Sequence, residues 1–287
     1  MSHDQNFKNL ILDYPLAALE FFAREEAGNI PPSARITPVR QEQLKKRLGD
    51  RFRELDTPLL VESPEGEREA VLFIMEEETT ARHFSIYRLA HYCLDLAELL
   101  GMERVVPVVI FLQPGDYTRS LRLGTARKTY LGFEFLTADL GTISAMEYVD
   151  SRNIVARINL PNMRYDPGQR VKICLRAQEG LAELEPDPNK RIKYIDFILQ
   201  YANLNESEQA RYEEYLQQSS YREAIMGPVQ QAIENSLQQG MERGMKKGKD
   251  EGRKEVAKAL LSKGIAIDVI SEASGLSEEE IRKLSLH

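Results

Sequence analysis

The chain has 287 residues, of which 42% are hydrophobic, enough to bury the core of one larger domain with a smaller appendage. Its formal net charge of −7 excludes the global basic surface of many nucleic-acid-binding proteins, although local basic patches stay open. The two cysteines, Cys93 and Cys174, lie far apart and outside any CxxC pattern. We therefore expect neither a disulfide framework nor a zinc site.

Targeting signals are not evident in the sequence. The first residues lack the charged-then-apolar pattern of a signal peptide. The longest strongly apolar run, Val105 to Leu112, is too short to span a bilayer. These observations predict a cytoplasmic protein that does not interact with membranes.

The N-terminal segment predicts helices followed by a loop. Asp4 is placed to cap a first helix that carries Phe7 and Leu10 at helical spacing, and Pro15 is expected to end or restart it. The proline-containing residues 31–38 predict a loop. Residues 39–54 are highly charged and have a helical pattern.

Residues 55–78 predict a β-hairpin with carboxylates at one end. Two apolar runs flank a turn at residues 63–67 that contains proline and glycine. Asp56 precedes the first run and Glu76 follows the second, so a hairpin should bring them together at one sheet edge. Such carboxylates are ligands for Mg²⁺. The alternative is a solvated strand end with no ligand.

The next segment predicts a crossover. Residues 80–101 read as one amphipathic helix that ends at Gly101, with Arg88 and Tyr92 four residues apart on one face. The apolar run that begins at Val105 then predicts a buried strand parallel to the second hairpin strand. Residues 130–140 predict one further strand, and residues 143–160 fit either helix or strand.

The C-terminal part is predicted to be helical. Residues 168–218 predict two or three helices interrupted at Pro186 and Pro188. In residues 226–258, glycines recur at every fourth position, from Gly240 to Gly252. Each glycine costs a helix up to about 1 kcal/mol, which indicates a reason such as coiled-coil-like pairing with a second copy. A flexible linker and phosphate contact by its lysines and arginines are the alternatives.

The last residues predict a compact helix pair. Gly275 closes one helix, and Ser277 with Glu280 forms a capping box that opens the next. Helix-turn-helix DNA readers have this arrangement. The acidic start of the second helix favours packing or assembly over DNA reading.

Four sequence motifs together resemble a known family. They are HDQNFK at the N-terminus, Asp56 with PLLVE, FIMEEETTARHFSIYRLAHY, and PVVIFLQPGD. In this order and spacing they are similar to the Rpn/YhgA-like recombination-promoting nucleases and transposase-like proteins of the PD-(D/E)XK superfamily. The glycine-repeat tail is also similar to tails found in that family.

This resemblance implies a fold and a domain organisation. The fold would be α/β, a restriction-endonuclease-like mixed sheet flanked by helices, followed by an α-helical C-terminal extension. Residues 1–165 would form the nuclease core and residues 166–225 a helical extension packed on it. Residues 226–262 would be the glycine-repeat helix or linker, and residues 263–287 the small helix pair.

The resemblance also implies a metal-dependent chemistry. Asp56 and Glu76 would hold Mg²⁺ or Mn²⁺, with the backbone carbonyl of Glu77 as a third ligand, and the metal would activate water and stabilise the scissile phosphate. Glu78 stands at the catalytic position where the superfamily has lysine and this family often has glutamine. Because a second carboxylate repels charge near Glu76, the site either uses more metal or has lost its chemistry.

Three further residues match supporting positions of the family. Arg88 and Tyr92 would support the site or a phosphate, and Asp4 matches an N-terminal acid with a structural or catalytic role. The implied function is a metal-dependent DNA endonuclease linked to recombination. The alternatives are a catalytically inactive relative that acts as an interaction or assembly module, and a DNA-binding protein led by the C-terminal helix pair.

Overall fold

The computed structural model describes residues 3–39, 57–66, 68–76 and 84–284. It divides the chain into two compact units, Met1–Ile225 and Met226–His287. The first unit is a mixed α/β structure, as the sequence predicted at that level. No described helix is both long enough and apolar enough to cross a membrane.

The first unit contains three N-terminal helices, a central sheet and a helical layer. The helices are α1 (His3–Asp13), α2 (Pro15–Phe22), α3 (Arg24–Ala27), α4 (Ile86–Leu100), α5 (Ile154–Ile158), α6 (Arg170–Leu184), α7 (Pro188–Ala202) and α8 (Glu206–Gln218). The strands are β1 (Arg35–Pro38), β2 (Thr57–Glu62), β3 (Arg68–Glu76), β4 (Val105–Phe111), β5 (Ser120–Gly124), β6 (Thr129–Glu134) and β7 (Leu136–Asp139).

The main sheet has five strands in the order β1-β2-β3-β4-β7. Strands β1, β2 and β3 are antiparallel neighbours, which confirms the predicted hairpin. Strands β3, β4 and β7 run parallel, which confirms the predicted crossover through α4. Strands β5 and β6 form a separate two-stranded hairpin between β4 and β7.

Side chains of β4 divide between two buried layers. Val109 and Phe111 lie in a cluster with Leu89, Cys93 and Leu96 of α4. Val108 and Ile110 alternate with them and are fully buried. The strand is therefore covered on both faces, as its unbroken apolar sequence predicted. Cys93 and Cys174 are free, and burial raises the pKa of each thiol to about 12, so both stay protonated at neutral pH.

The predicted boundaries are wrong at two places in the N-terminal half. Residues 35–38 of the predicted loop form β1, because an edge strand tolerates Pro38, which has no N–H to donate. The helix predicted from Thr80 begins at Ile86, because the Ser85 hydroxyl accepts a hydrogen bond from the backbone N–H of Arg88 and caps it there. Its predicted end at Gly101, with φ of 63°, is confirmed.

The single strand predicted over residues 130–140 is also wrong. Residues up to Glu134 belong to β6 and pair with β5, whereas Leu136 begins β7 and pairs with β4. Both halves have strand-like sequence, so nothing local marks the change of sheet. The ambiguous residues 143–160 form short 3₁₀ turns and the one-turn helix α5. Residues 39–54 lie outside the described residues, apart from Val39.

The helical layer contains three helices, which agrees with the two or three predicted for residues 168–218. Pro186 and Pro188 mark the break between α6 and α7, whereas the break between α7 and α8 lies at Asn203. Arg157 of α5 is buried against α6, where its guanidinium donates a hydrogen bond of 3.0 Å to the carbonyl of Arg176. A Cβ at Gly180 would lie 2.1 Å from Nε of Arg157, so this approach requires glycine.

Helix α1 is tied to the helical layer by polar contacts. Asp13 accepts hydrogen bonds from Lys193 at 2.7 Å and Tyr194 at 2.6 Å, and Tyr14 donates one to Glu185. Burial alone would raise the pKa of Asp13. The hydrogen bonds from Lys193 and Tyr194 and the positive charge of Lys193 outweigh this effect, so the pKa is lowered. The carboxylate is therefore ionised at neutral pH, and it joins α1 to α7.

The second unit consists of the long helix and the predicted helix pair. Helix α9 spans Arg222–Ser262, so it begins in the first unit and runs continuously through the glycine repeat. Helices α10 (Ile267–Ser274) and α11 (Glu278–Leu284) follow it. Ala257, Ile270, Leu276 and Ile281 form the buried core of this unit.

Candidate active site at the carboxyl edge of the sheet

Three parallel strands end side by side at one edge of the main sheet. Glu76, the last residue of β3, is the register partner of Phe111, the last residue of β4. Phe111 is in turn the partner of Asp139, the last residue of β7. Neighbouring strands are about 4.8 Å apart, so Glu76 and Asp139 have backbones about 10 Å apart. We call Glu76, Phe111 and Asp139 the edge row.

The start of β2 lies toward this end of β3 by register. Thr57, the first described residue of β2, pairs with Phe73, three residues before Glu76. Asp56, Glu77 and Glu78 lie outside the described residues, and the side chain of Glu76 lies outside them as well. Their predicted roles as metal ligands and catalytic groups stay predictions. What the structure adds is the position of Glu76 at the end of a parallel strand.

Asp139 is an acid at this edge that the sequence analysis missed. Its Oδ2 accepts a hydrogen bond of 3.1 Å from the hydroxyl of Tyr117. Its Oδ1 is buried and has no hydrogen-bond partner among the described residues. An unpaired buried oxygen costs about 1–3 kcal/mol. Such a cost at the end of a strand beside Glu76 is typical of a functional carboxylate.

Tyr117 holds Asp139 from the loop that follows β4. Its ring stacks on Phe111 with centroids 3.5 Å apart and an interplanar angle of 5°. Burial, together with the hydrogen bond to Asp139 and the charge of Asp139, raises the pKa of Tyr117 to about 12. The hydroxyl is therefore protonated at neutral pH and available as a donor. Asp139 could have been suspected from the sequence only as an acid that ends an apolar strand.

Aromatic side chains pack against the edge row on the side of the sheet that faces α4. The ring of Phe84 meets Phe111 edge-on at 5.6 Å and lies 5.2 Å from Phe135. Tyr92 is 6% exposed and belongs to the same buried cluster as Phe111. Helix α4 therefore presents Tyr92 to the side of the sheet on which Phe111 packs.

The predicted supporting residues fall in two places. Tyr92 lies beside the edge row through Phe111, and Arg88 lies one turn earlier on the same helix, with its backbone N–H bound to the Ser85 cap. Asp4 is the second residue of α1 rather than the residue before it, so the predicted N-cap is wrong. The side chain of Asp4 lies outside the described residues, and its role stays a prediction.

The described part of the chain does not by itself contain a complete set of metal ligands. No group of three or more histidine, cysteine, aspartate or glutamate side chains there is arranged to hold a metal ion. The donors named from the sequence lie outside that part, apart from the backbone position of Glu76. Carboxylate oxygens at one sheet edge are a donor set that suits Mg²⁺ or Mn²⁺, and the unpaired Oδ1 of Asp139 adds one more oxygen to that edge.

The C-terminal helix pair has the predicted turn and cap. Gly275 ends α10 with φ of 69°, a value that favours glycine. Ser277 and Glu280 exchange the two hydrogen bonds of a capping box, at 2.9 Å and 3.3 Å, which confirms that prediction. The hydrogen bonds from Ser277 lower the pKa of Glu280. The first turn of α11 carries three glutamates, residues 278–280.

The basic residues of α11 are paired within the helix. Arg282 lies 2.9 Å from a carboxylate oxygen of Glu278, and Lys283 lies 3.0 Å from one of Glu279. Both ion pairs are largely exposed and span four residues, so each stabilises the helix only slightly. Their main consequence is electrostatic, because the charges that a second helix would offer to DNA are already balanced.

Comparisons with known proteins identify this unit. Residues 250–286 match the family model described as "Rpn/YhgA-like nuclease family, C-terminal HTH domain". The match is to the C-terminal domain of the family that the sequence motifs resemble, and the motifs themselves lie outside the matched residues. It also names as a helix-turn-helix domain the pair that the sequence analysis assigned preferentially to packing or assembly. No curated protein and no solved structure matches the chain significantly.

Proposed function

Because the chain carries the C-terminal HTH domain of the Rpn/YhgA-like nuclease family, we propose that it is a metal-dependent DNA endonuclease. The observation that carries this proposal is the edge row, in which Glu76 and Asp139 end the two parallel strands that flank β4. The family match supports a nuclease-related function, and the row supplies acids at one sheet edge. Phosphodiester hydrolysis is a reaction that fits both the nuclease family and the acids of the edge row.

In this proposal the carboxylates of Asp56 and Glu76, with the backbone carbonyl of Glu77, would hold Mg²⁺ or Mn²⁺. When bound, the cation would supply charge neutralisation at the phosphate and activation of the attacking water. Asp139, oriented by the hydroxyl of Tyr117, accepts a proton or a hydrogen bond at Oδ1. Tyr92 and Phe111 form the apolar wall that excludes bulk water from one side.

The proposed site includes Asp139 because Glu78, which stands at the position of the superfamily lysine, makes the site acidic. The superfamily lysine would place a positive charge where this chain has a carboxylate. A site with Asp56, Glu76, Glu78 and Asp139 is rich in negative charge, so it favours binding of divalent cations over lysine-assisted catalysis. We therefore expect activity to depend strictly on a divalent cation.

The test is plasmid cleavage by the intact chain in Mg²⁺, Mn²⁺ and EDTA. The parent should nick or linearise plasmid with either metal and be inert in EDTA, and Asp56→Ala and Glu76→Ala should both be inert. Glu65→Ala is the matched control, because Glu65 is an exposed acid in the turn of the same hairpin. Cleavage by Asp56→Ala at the parental rate would remove the acid pair from the site. A folded parent that cleaves under no metal condition would remove the nuclease assignment.

A second candidate, an inactive relative that works by assembly, is favoured by the surface of α9. Two neighbouring rows run along this helix at four-residue spacing. The apolar row consists of Ile233, Leu237, Met241 and Met245, all at least 60% exposed. The small row consists of Ser236, Gly240, Gly244, Gly248 and Gly252, and a Cβ added at any of these glycines would meet no atom within 4 Å.

Together the two rows form a self-complementary surface. Rows of side chains four residues apart are the ridges that interlock when helices pack at about −50°. The apolar row of one copy fits against the small row of another, so we propose a homo-oligomer through α9. Light scattering on Met241→Glu in the intact chain should show a smaller mass than the parent. Gln238→Glu, on a polar row, should not change the mass, and equal masses for all three proteins would rule out assembly through these rows.

A further inference from the structure

The hairpin of β5 and β6 is a local concentration of positive charge in an acidic protein. Residues 119–131, which we call the basic hairpin, carry Arg119, Arg122, Arg127 and Lys128 and no acidic residue. All four basic residues are exposed. We propose that the basic hairpin binds the phosphate backbone of duplex DNA beside the edge row. This inference rests on the proposed nuclease function for its choice of ligand.

The charges of the basic hairpin have no carboxylate partner in the part of the chain that the structure describes. No carboxylate in the described ranges forms an ion pair with any of its four basic side chains. Two of them lie near aromatic rings instead. The guanidinium carbon of Arg119 is 6.0 Å from the ring centroid of Tyr117, and Nζ of Lys128 is 5.0 Å from that of Tyr130. These contacts leave the positive charges unneutralised.

The tip of the basic hairpin is held in one shape. The hydroxyl of Thr125 accepts hydrogen bonds from the backbone N–H groups of Arg127 and Lys128, at 3.3 and 3.2 Å. The N–H of Thr125 donates to the carbonyl of Lys128 at 2.9 Å. A Cβ at Gly124 would lie 2.2 Å from that carbonyl oxygen, so the closure requires glycine. A fixed tip lowers the entropy cost of placing Arg127 and Lys128 on phosphates.

The base of the basic hairpin is anchored beside the edge row. Leu121, which is 8% exposed, pairs in register with Phe133, and Phe133 packs against the cluster that contains Phe111 and Tyr92. The chain enters the hairpin from the end of β4 through Tyr117 and leaves it into β7, which ends at Asp139. The base of the basic hairpin therefore packs on the same aromatic cluster as Phe111 of the edge row.

The dimensions and charge of the hairpin favour DNA over other anionic partners. The distance from Arg119 to the tip is about 20 Å at 3.3 Å per residue. That length covers about six base pairs at 3.4 Å of helix axis each. Two-stranded ribbons of this kind fit DNA grooves. The exposed apolar residues Leu123, Tyr130 and Leu131 are too few for a protein interface of ordinary size.

The experiment measures binding of a fluorescein-labelled 30-base-pair duplex to the intact chain by anisotropy, in EDTA, over a range of salt. The test variant carries Arg122→Gln, Arg127→Gln and Lys128→Gln. The parent should bind with a steep salt dependence. The test variant should bind about 30-fold more weakly at 0.1 M salt, with the slope of log K against log salt reduced by about 3, or 0.9 per lost phosphate contact.

The matched control removes three basic residues that are already ion-paired: Lys247→Gln, Arg282→Gln and Lys283→Gln. The slope of log K against log salt for this control should differ from that of the parent by less than 1. Equal slopes for test and control variants, no DNA binding by the parent, or displacement of DNA by polyglutamate at equal charge would each overturn the inference. Because EDTA prevents metal-dependent cleavage, a parent that binds as expected but never cleaves would refute the nuclease proposal alone.

Discussion

Two regions of this chain offer positive charge to a nucleic acid, and they hold it in different ways. In the basic hairpin, four basic side chains are exposed and form no ion pair with the described carboxylates. In the HTH domain, Arg282 and Lys283 of the second helix are balanced by Glu278 and Glu279 one turn away. The basic residues of the second HTH helix are thus balanced within that helix, whereas those of the basic hairpin have no described carboxylate partner.

The difference shows that a match to a DNA-binding fold does not by itself establish contact with DNA. The residues that match the HTH domain include the buried cluster of Ala257, Ile270, Leu276 and Ile281, which specifies packing. Phosphate contacts depend on unneutralised cations, which a pattern of core residues does not report. We therefore expect the basic hairpin to dominate the affinity for DNA and the HTH domain to contribute less.

The largest expected effect tests the HTH side of this comparison. Ile281→Ala removes a fully buried side chain from the small core of the second unit and should destabilise that unit by about 3 kcal/mol. Hydrogen exchange should show faster exchange in α10 and α11 and no change in α6. Val269→Ala, at a half-exposed position, is the control. DNA affinity should fall less than threefold, and a fall as large as that of the basic-hairpin variant would reverse the comparison.

The second effect tests whether Asp139 of the edge row takes part in DNA cleavage. Asp139→Asn keeps the shape of the side chain and removes its charge, so metal-dependent cleavage should fall about 100-fold. The dissociation constant for duplex DNA in EDTA should stay within twofold of the parent's. Asp116→Asn changes an exposed acid in the loop before the hairpin and should leave both quantities unchanged. Parental cleavage by Asp139→Asn would exclude Asp139 from the site.

A smaller effect is expected from Tyr117→Phe. This change removes the hydroxyl that binds Asp139 and keeps the ring that stacks on Phe111. Cleavage should fall about tenfold, because Asp139 loses an orienting hydrogen bond but keeps its charge. The double variant with Asp139→Asn should be no slower than Asp139→Asn alone. Additive losses would show that Tyr117 acts independently of Asp139.

The smallest effect concerns the tip of the basic hairpin. Thr125→Ala removes the hydroxyl that fixes the backbone of Arg127 and Lys128 while leaving all four charges in place. DNA affinity should fall about two- to threefold, with no change in salt slope, because the loss is one of preorganisation. Thr118→Ala, at an exposed position outside the strands, serves as the control. A lower slope in Thr125→Ala would indicate a lost phosphate contact instead.

The sequence predicted the parts of this fold that depend on neighbours along the chain. The β2–β3 hairpin follows from a Pro/Gly turn between two apolar runs, and the end of α4 follows from Gly101. The capping box at Ser277 and the breaks near Pro186 and Pro188 are equally local. In each case a dihedral preference or a short-range hydrogen bond decides the structure.

The candidate site was only partly predictable for the same reason. The placement of Glu76 at a strand end could be inferred from one hairpin. Asp139 could not, because it reaches the edge row only if residues 129–134 pair with β5 and residues 136–139 pair with β4. Both segments have strand-like sequences, and a sequence pattern does not state which strand each will join.

The sequence by itself determined the local elements, the acids after the second hairpin strand and the four positive charges of residues 119–131. Only the tertiary structure decided that the hairpin with these charges packs on the cluster of Phe111, whose register partners are Glu76 and Asp139. Local dihedral preferences act over a few residues, whereas strand order and register come from burying β4 between two strands far apart in the chain.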